Sequence, residues 1–187
     1  MRKLFTFNMV TLDGFFEGPN GDIDWHNADN EEFNDFAIEQ MSTMDTIVFG
    51  RKTYQMMASF WPTEIAVQSD PIIADLMNRF SKVVFSRTLE TVDWNNTRLI
   101  HENAGQEIRK MKMQPGKDLA IFGSANLIST IMDEIDEHRV MVNPILLGGG
   151  TPLFKNSPRR TRLALAGERV FKSGNVLLTY RPVKEQQ

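Results

Sequence analysis

The segment TIVFGRKTY, residues 46–54, contains the pattern on which the fold of this chain is built. Its first part, Thr46–Phe49, is a continuous apolar run, which is typical of a strand buried on both faces of a sheet. Gly50 ends the run and lets the backbone turn sharply, and Thr53 falls in the first turn of a helical pattern. The segment therefore predicts a buried strand that passes through a glycine turn into a helix.

Strand and helix patterns alternate on both sides of this segment. Upstream, Lys3–Leu12 is a strand candidate, and Asp29 or Asn30 could cap a helix that runs to about Met41. Downstream, the candidates are a helix from Asp70-Pro71 through Phe80, strands Lys82–Phe85 and Arg98–Ile100, a helix Gly105–Met113, a strand Leu119–Phe122, a helix Ala125–Ile135 and a strand Arg139–Leu147. This order predicts an α/β fold whose central sheet is mostly parallel and is covered on both faces.

The last part of the chain has a different pattern. Two strand-like segments, Thr161–Phe171 and Asn175–Tyr180, flank Ser173-Gly174. Two such segments around a short glycine turn are typical of an antiparallel hairpin. We expect this hairpin to add antiparallel strands at one edge of the sheet, which makes the sheet mixed.

Composition limits the class of protein. The chain has 187 residues, enough for one domain over residues 1–187, with 41% hydrophobic and 24% charged residues. Its net charge of -3 gives no reason to expect a nucleic-acid partner. It has no cysteine, and no segment approaches the ~18 apolar residues that span a membrane. We therefore expect a cytoplasmic protein that binds no membrane.

Three strand ends carry residues suited to phosphate. In sheets of this class, ligands bind beyond the carboxyl ends of the strands, where free N–H groups of helix starts attract anions. The three segments are Gly50-Arg51-Lys52-Thr53, Ser86-Arg87 and Gly123-Ser124-Ala125-Asn126. The alternatives are a basic helix start without a ligand and a capped loop with a solvated arginine. The joint occurrence of all three segments favours one dinucleotide.

A glycine-rich segment, Leu147–Phe154, also follows a strand. Pro152 and the lack of a following helical pattern argue against a phosphate loop of the Rossmann type. A loop beside the site, with Gly149 near the substrate, and a purely structural turn both remain open.

Several motifs together resemble one known family. They are Thr11-Leu12-Asp13-Gly14, Gly50-Arg51-Lys52-Thr53-Tyr54, Phe60-Trp61-Pro62 and Pro144–Phe154. The chain resembles the reductase domain of the bifunctional riboflavin-biosynthesis deaminase-reductase, in its stand-alone dihydrofolate-reductase-like branch. The resemblance implies a three-layer dihydrofolate-reductase-like fold, NADPH as hydride donor and a homodimer.

The resemblance also implies roles for individual residues at the cofactor. Arg51, Lys52 and Thr53 would meet its phosphates, and Ser86 and Arg87 its adenosine 2′-phosphate. Gly123, Ser124 and Ala125 would line the pyrophosphate and the nicotinamide ribose, and backbone groups near Val10 would hold the carboxamide. One departure concerns the substrate, because no Arg or Lys occurs between Lys3 and Arg51 to hold a phosphoribosyl group.

Hydride transfer to an imine or a carbonyl also needs a proton, from a carboxylic acid or from ordered water. Asp13 could reach the nicotinamide pocket, or could instead cap neighbouring amides. Glu32 and Asp35 are the other candidates, with solvated carboxylates as the alternative. Trp25 and Trp61 could form an apolar wall for a flat heterocycle.

No metal site is expected, because the three histidines show no ligand spacing. The leading hypothesis is an NADPH-dependent reductase acting on a small planar heterocycle, either pterin-like or pyrimidine-like. The enzymatic alternatives are a 5-amino-6-(5-phosphoribosylamino)uracil reductase and a dihydrofolate reductase. The non-enzymatic alternatives are an NADPH-binding sensor or assembly subunit and a structural dimer that has lost the site.

Overall fold

Ten strands and six α-helices occur in the computed structural model, which describes residues 1–28, 30–154 and 160–183. The strands are β1 Leu4–Thr11, β2 Phe15–Glu17, β3 Met44–Gly50, β4 Ser81–Phe85, β5 Thr97–Ile100, β6 Asp118–Ile121, β7 Glu137–Asn143, β8 Thr151–Pro152, β9 Leu163–Val170 and β10 Val176–Pro182. The helices are α1 Glu31–Ser42, α2 Arg51–Phe60, α3 Glu64–Ser69, α4 Pro71–Arg79, α5 Ala104–Lys112 and α6 Ala125–Thr130.

Eight of these strands form one sheet in the order β5-β4-β3-β6-β1-β7-β10-β9. The neighbours from β5 to β7 are parallel, whereas β10 is antiparallel to both β7 and β9. The predicted α/β class, the mostly parallel sheet and the C-terminal hairpin are confirmed.

Helices cover both faces of the sheet, which gives three layers. Leu119 and Ile121 of β6 pack on one face in a cluster that includes Ile108 of α5 and Ile128 of α6. Ala120, between them in sequence, belongs to the cluster on the opposite face, with side chains from α1, α2 and α4. This alternation explains why the strands are apolar at consecutive positions.

Some predicted boundaries differ from the structure. The predicted helix to Ile135 ends at Thr130 and is followed by a 3-10 turn, Met132–Glu134. The strand predicted to reach Leu147 ends at Asn143, because Pro144 has no N–H to donate. Asn30 caps α1 by accepting a hydrogen bond from Phe33 N at 2.9 Å, while Asp29 lies outside the described residues.

Two features position the site. First, β6 pairs with β1 only as far as Thr6, opposite Ile121, whereas β1 continues to Thr11. Among the described residues no strand pairs with β1 on its β6 side beyond Thr6, and we call this unpaired edge of β1, from Phe7 to Thr11, the gap beyond β6. Second, β2 and β8 form a small separate antiparallel sheet, which was not predicted.

Candidate functional site

A cleft of about 920 Å³ runs along the carboxyl ends of β5, β4, β3 and β6. Its walls come from the loops and helix starts that follow these strands, and β2 and β8 contribute Phe16, Glu17 and Thr151. Nine of the eleven predicted cofactor residues line it: Gly50, Arg51, Lys52, Thr53, Ser86, Arg87, Ser124, Ala125 and Asn126. The structure therefore brings the three predicted strand ends into one cavity.

The middle of the cleft is the start of α2. Gly50 is the N-cap residue of α2, and no side chain caps this helix, so its first amides are available to a ligand. Arg51 and Lys52 are exposed there. Neither they nor Arg87 has an ion-pair partner among the described residues. Free amides and unpaired cations together favour a negatively charged ligand.

The loops after β3 and β6 lie in direct contact. Gly50 N donates to Gly123 O at 3.2 Å. A Cβ on Gly50 would lie 2.6 Å from Ser124 Oγ, and a Cβ on Gly123 would lie 2.7 Å from Thr53 Oγ1. Gly123 also has φ +135°, which other residues rarely adopt. Gly123 therefore requires glycine, and a side chain at Gly50 would displace the Ser124 hydroxyl.

Ser86 presents a hydrogen-bond donor to the cleft. Its Oγ accepts from Thr88 N at 3.2 Å and from Leu89 N at 3.0 Å, which uses both oxygen lone pairs. The hydroxyl proton is then the part of the group that remains for a ligand. Ser86 is buried and Arg87 is exposed, so a donor and a cation stand side by side at this end of the cleft.

The cleft extends one strand further than the sequence analysis predicted. His101–Gln106 and Arg109, which follow β5, line it together with Thr130. His101 Nδ1 lies 2.9 Å from Ser86 O and so ties the β5 end to the β4 end. The available signal was a strand followed by a helix, the same pattern as after β3 and β6.

Val10 and Gly123 do not line the cleft, although Gly123 contacts the lining residues Gly50 and Thr53. The Val10 carbonyl faces β7, where it accepts from Asn143 Nδ2 at 3.2 Å. Backbone groups alternate in direction along a strand: Lys3 O accepts from Leu119 of β6, whereas Leu4 O accepts from Asp136, on the β7 side. By this alternation, Met9 and Thr11 direct their backbone groups toward the gap beyond β6.

Asp13 fastens one loop to another. It accepts from Thr11 Oγ1 at 2.6 Å, from Leu147 N at 3.3 Å and from Gly148 N at 2.8 Å. The Thr11 hydroxyl, followed by the two backbone amides, lowers the pKa of Asp13 below its ordinary value of 3.8. These contacts match the alternative in which Asp13 caps neighbouring amides.

The other two predicted carboxylates belong to α1 and do not line the cleft. Glu32 Oε2 accepts from Lys172 N at 2.8 Å and so connects α1 to the turn of the C-terminal hairpin. Asp35 is exposed. Their catalytic role stays a prediction, and neither side chain contacts the cleft.

The predicted substrate residues also lie outside the cleft. Trp25 packs against the core cluster around Phe36, and its Nε1 donates to Asp22 O at 3.3 Å. Trp61 packs against the cluster that contains Tyr54. Gly149 lies in the loop before β8.

Among residues 1–28, 30–154 and 160–183, no group of three or more His, Cys, Asp or Glu side chains could hold a metal ion. Within the same residues, every helix is too short or too polar to cross a bilayer.

The chain belongs to the RibD C-terminal domain family, whose model matches residues 2–177. It is 36% identical to the uncharacterized protein YyaP of Bacillus subtilis (strain 168) over 182 residues, which is 96% of this chain and 94% of YyaP. A protein from Shewanella sp. PV-4, provisionally named for riboflavin biosynthesis, is similar with TM-score 0.76 and 24% identity, covering 97% of this chain and 99% of that chain.

The dihydrofolate reductase of Enterococcus faecalis, solved with NADP(H) and RAB-propyl, has TM-score 0.66 and 15% identity. The similarity covers 97% of each chain. The fold of this chain is therefore dihydrofolate-reductase-like, as predicted.

Proposed function

We propose that this member of the RibD C-terminal domain family is an NADPH-dependent reductase that transfers a hydride to a small planar heterocycle, either pterin-like or pyrimidine-like. One observation carries the proposal: a single cleft gathers the three predicted phosphate segments with Arg51, Lys52 and Arg87, none of which has an ion-pair partner in the described part of the chain. NADPH is an extended polyanion, and the cleft supplies cations at the β3 and β4 ends and free amides at the start of α2.

The spacing of the strands suits such a ligand. Strands β4, β3 and β6 are successive neighbours in the sheet, so their ends span about 10 Å at ~4.8 Å per interval. The 2′-phosphate would lie at Ser86 and Arg87, and the pyrophosphate at the start of α2 beside Ser124. Glu17 and Glu102 also line the cleft, so the anion would keep to its basic side.

The nicotinamide would enter the gap beyond β6, where NADPH when bound supplies the hydride. The backbone edges of Met9 and Thr11 are directed into this gap, so we propose that they hold the carboxamide in place of Val10. Buried side chains around the gap, including Val10 and Ala125, exclude water from the reacting atoms.

The proton source we propose is an ordered water. Asp13 is held as an anion by its donors, Glu32 is hydrogen-bonded to the hairpin, and Asp35 faces solvent. An acid with a lowered pKa is a weak choice for protonating a substrate near neutral pH. Asp13 then acts by holding the loop after β7.

For the substrate, the absence of Arg and Lys between Lys3 and Arg51 disfavours a phosphoribosyl group. A reductase for an unphosphorylated heterocycle is therefore preferred over a 5-amino-6-(5-phosphoribosylamino)uracil reductase. The homodimer, the cytoplasmic location and the single domain over residues 1–187 stay predictions.

The cofactor proposal is tested by thermal-shift titration of the full chain with NADPH and NADH. We expect a saturable rise in Tm that is larger with NADPH; at one hundred times Kd the stabilisation is about 2.7 kcal/mol. Arg87→Ala should lower the affinity for NADPH by about tenfold or more and the affinity for NADH by much less. The matched control is Arg79→Ala, an exposed arginine on α4 outside the cleft. If Arg87→Ala lowered the affinity for both cofactors equally, Arg87 would not bind the 2′-phosphate.

The reductase proposal is tested by following NADPH oxidation against a panel of pterins and pyrimidines, with and without a phosphoribosyl group. A reductase oxidises NADPH with at least one member of the panel. A protein that binds NADPH but oxidises it with none would instead be the non-catalytic sensor or assembly subunit.

A further inference from the structure

His101 occupies a distinctive position at the β5 end of the cleft. It lines the cavity beside Ser86 and Arg87, and its Nδ1 lies 2.9 Å from the Ser86 carbonyl oxygen. A carbonyl oxygen only accepts hydrogen bonds, so Nδ1 carries the hydrogen of this contact. Nε2 is the ring nitrogen that Ser86 does not use, and the ring is exposed at the cavity wall.

The contact also fixes where the ring stands. Ser86 N donates to Ile100 O at 3.0 Å, so Ser86 is held by the β5 end on both its N–H and its C=O. The imidazole is thus attached to the residue whose hydroxyl faces the cleft as a donor. No other side chain of the β5 end is hydrogen-bonded to Ser86 within the described part of the chain.

Arg87 and Arg109 line the cleft together with His101, but they differ in their ion pairs. Arg109 is engaged in an ion pair with Glu134, whereas Arg87 has no such partner among the described residues.

We propose that His101 is a specificity-determining residue that contacts the 2′-phosphate of NADPH through Nε2 and thereby favours NADPH over NADH. This inference rests on the proposed function, because it needs a dinucleotide in the cleft with its adenosine end at β4 and β5. With hydrogen on both ring nitrogens, Nδ1 donates to the Ser86 carbonyl and Nε2 can donate a charge-assisted hydrogen bond to the phosphate. NADH carries a hydroxyl at this position and gains little from a cation.

The test compares two substitutions in the full chain by isothermal titration with NADPH and with NADH. His101→Asn keeps an N–H near the position of Nδ1, which can still donate to the Ser86 carbonyl, but it has no atom at the position of Nε2. His101→Ala removes both groups. Lys110→Ala is the control, because Lys110 is exposed on α5, is paired with Glu107 and does not line the cleft.

We expect His101→Asn to lower the affinity for NADPH about tenfold, which is the size of one charge-assisted hydrogen bond. The affinity for NADH should fall less than about twofold. His101→Ala should weaken the binding of both cofactors more than His101→Asn does, because the Ser86 carbonyl also loses its donor. Lys110→Ala should leave both affinities unchanged. An Asn variant that keeps the wild-type preference, or that loses both cofactors equally, would overturn the inference while leaving the proposed function standing. Wild-type protein that binds neither cofactor would overturn both.

Discussion

The closest contact between the β3 and β6 loops gives the sharpest mutational prediction. Gly50 has φ -82° and ψ 163°, a conformation that alanine adopts without strain. The cost of Gly50→Ala therefore comes from contact alone. The new Cβ would lie 2.6 Å from Ser124 Oγ but 3.5 Å from Ser124 Cβ, so the hydroxyl oxygen is the clashing atom.

Overpacking of this kind costs about 1–3 kcal/mol. We expect Gly50→Ala to lower the free energy of unfolding by about 2 kcal/mol, which for a chain of this size lowers Tm by about 4–8 °C. Ser124→Ala removes the clashing oxygen and should by itself change stability by less than about 0.5 kcal/mol. The double variant should regain most of the loss, a coupling of about 1–2 kcal/mol.

The assay is urea unfolding of the wild type, both single variants and the double variant. Gly105→Ala is the control, because its Cβ would meet neighbouring atoms only at 3.7–3.9 Å and it lies within α5, where alanine is favoured. It should be neutral or stabilising. If Ser124→Ala brings no recovery in the Gly50→Ala variant, the loss of stability does not arise from the contact between these two loops; a Gly50→Ala variant as harmless as Gly105→Ala would mean that the Ser124 hydroxyl turns away from the new methyl group.

Three further results are expected. Burial lowers the pKa of His138 from 6.5 to about 4, so the folded state takes up its proton at lower pH than the unfolded state. As the pH falls from 6.5 to 4, this difference lowers the free energy of unfolding by about 3 kcal/mol. His138→Gln should flatten that loss in urea unfolding across pH. Asn143→Ala breaks a buried amide network and should cost about 3 kcal/mol in the same assay. Asp13→Asn should speed hydrogen exchange at the amides of residues 147–148 while reductase activity is kept.

Each of these has an outcome that would refute its reasoning. An unchanged pH profile in His138→Gln would show that this ring does not carry the acid sensitivity. A stability loss below about 1 kcal/mol in Asn143→Ala would mean that its partners find other hydrogen bonds. Loss of hydride transfer in Asp13→Asn, with cofactor affinity intact, would return Asp13 to the role of proton donor.

The strand ends of the cofactor cleft could be predicted because local sequence determines them. Apolar runs such as Thr46–Phe49 are buried on both faces, and glycine or serine follows them where the chain must turn. The rule that ligands bind at carboxyl ends of parallel strands then placed Arg51 and Arg87 together. The cleft lining agrees with that placement.

What could not be predicted depends on register and on distant partners. The direction of the Val10 carbonyl follows from how β1 pairs with its two neighbours, which no local pattern reveals. The same holds for Asp13, whose partners Leu147 and Gly148 are more than a hundred residues away. His101 was missed because a lone histidine after a short strand has no signal until the Ser86 carbonyl is seen beside it.

The central claim is that one dinucleotide crosses all these strand ends, and hydrogen–deuterium exchange with and without NADPH tests it most directly. Slower exchange should arise together in residues 50–54, 86–89 and 123–127, and at the same NADPH concentration in each. Slower exchange in only one of these segments, with the others unchanged at saturation, would contradict the account.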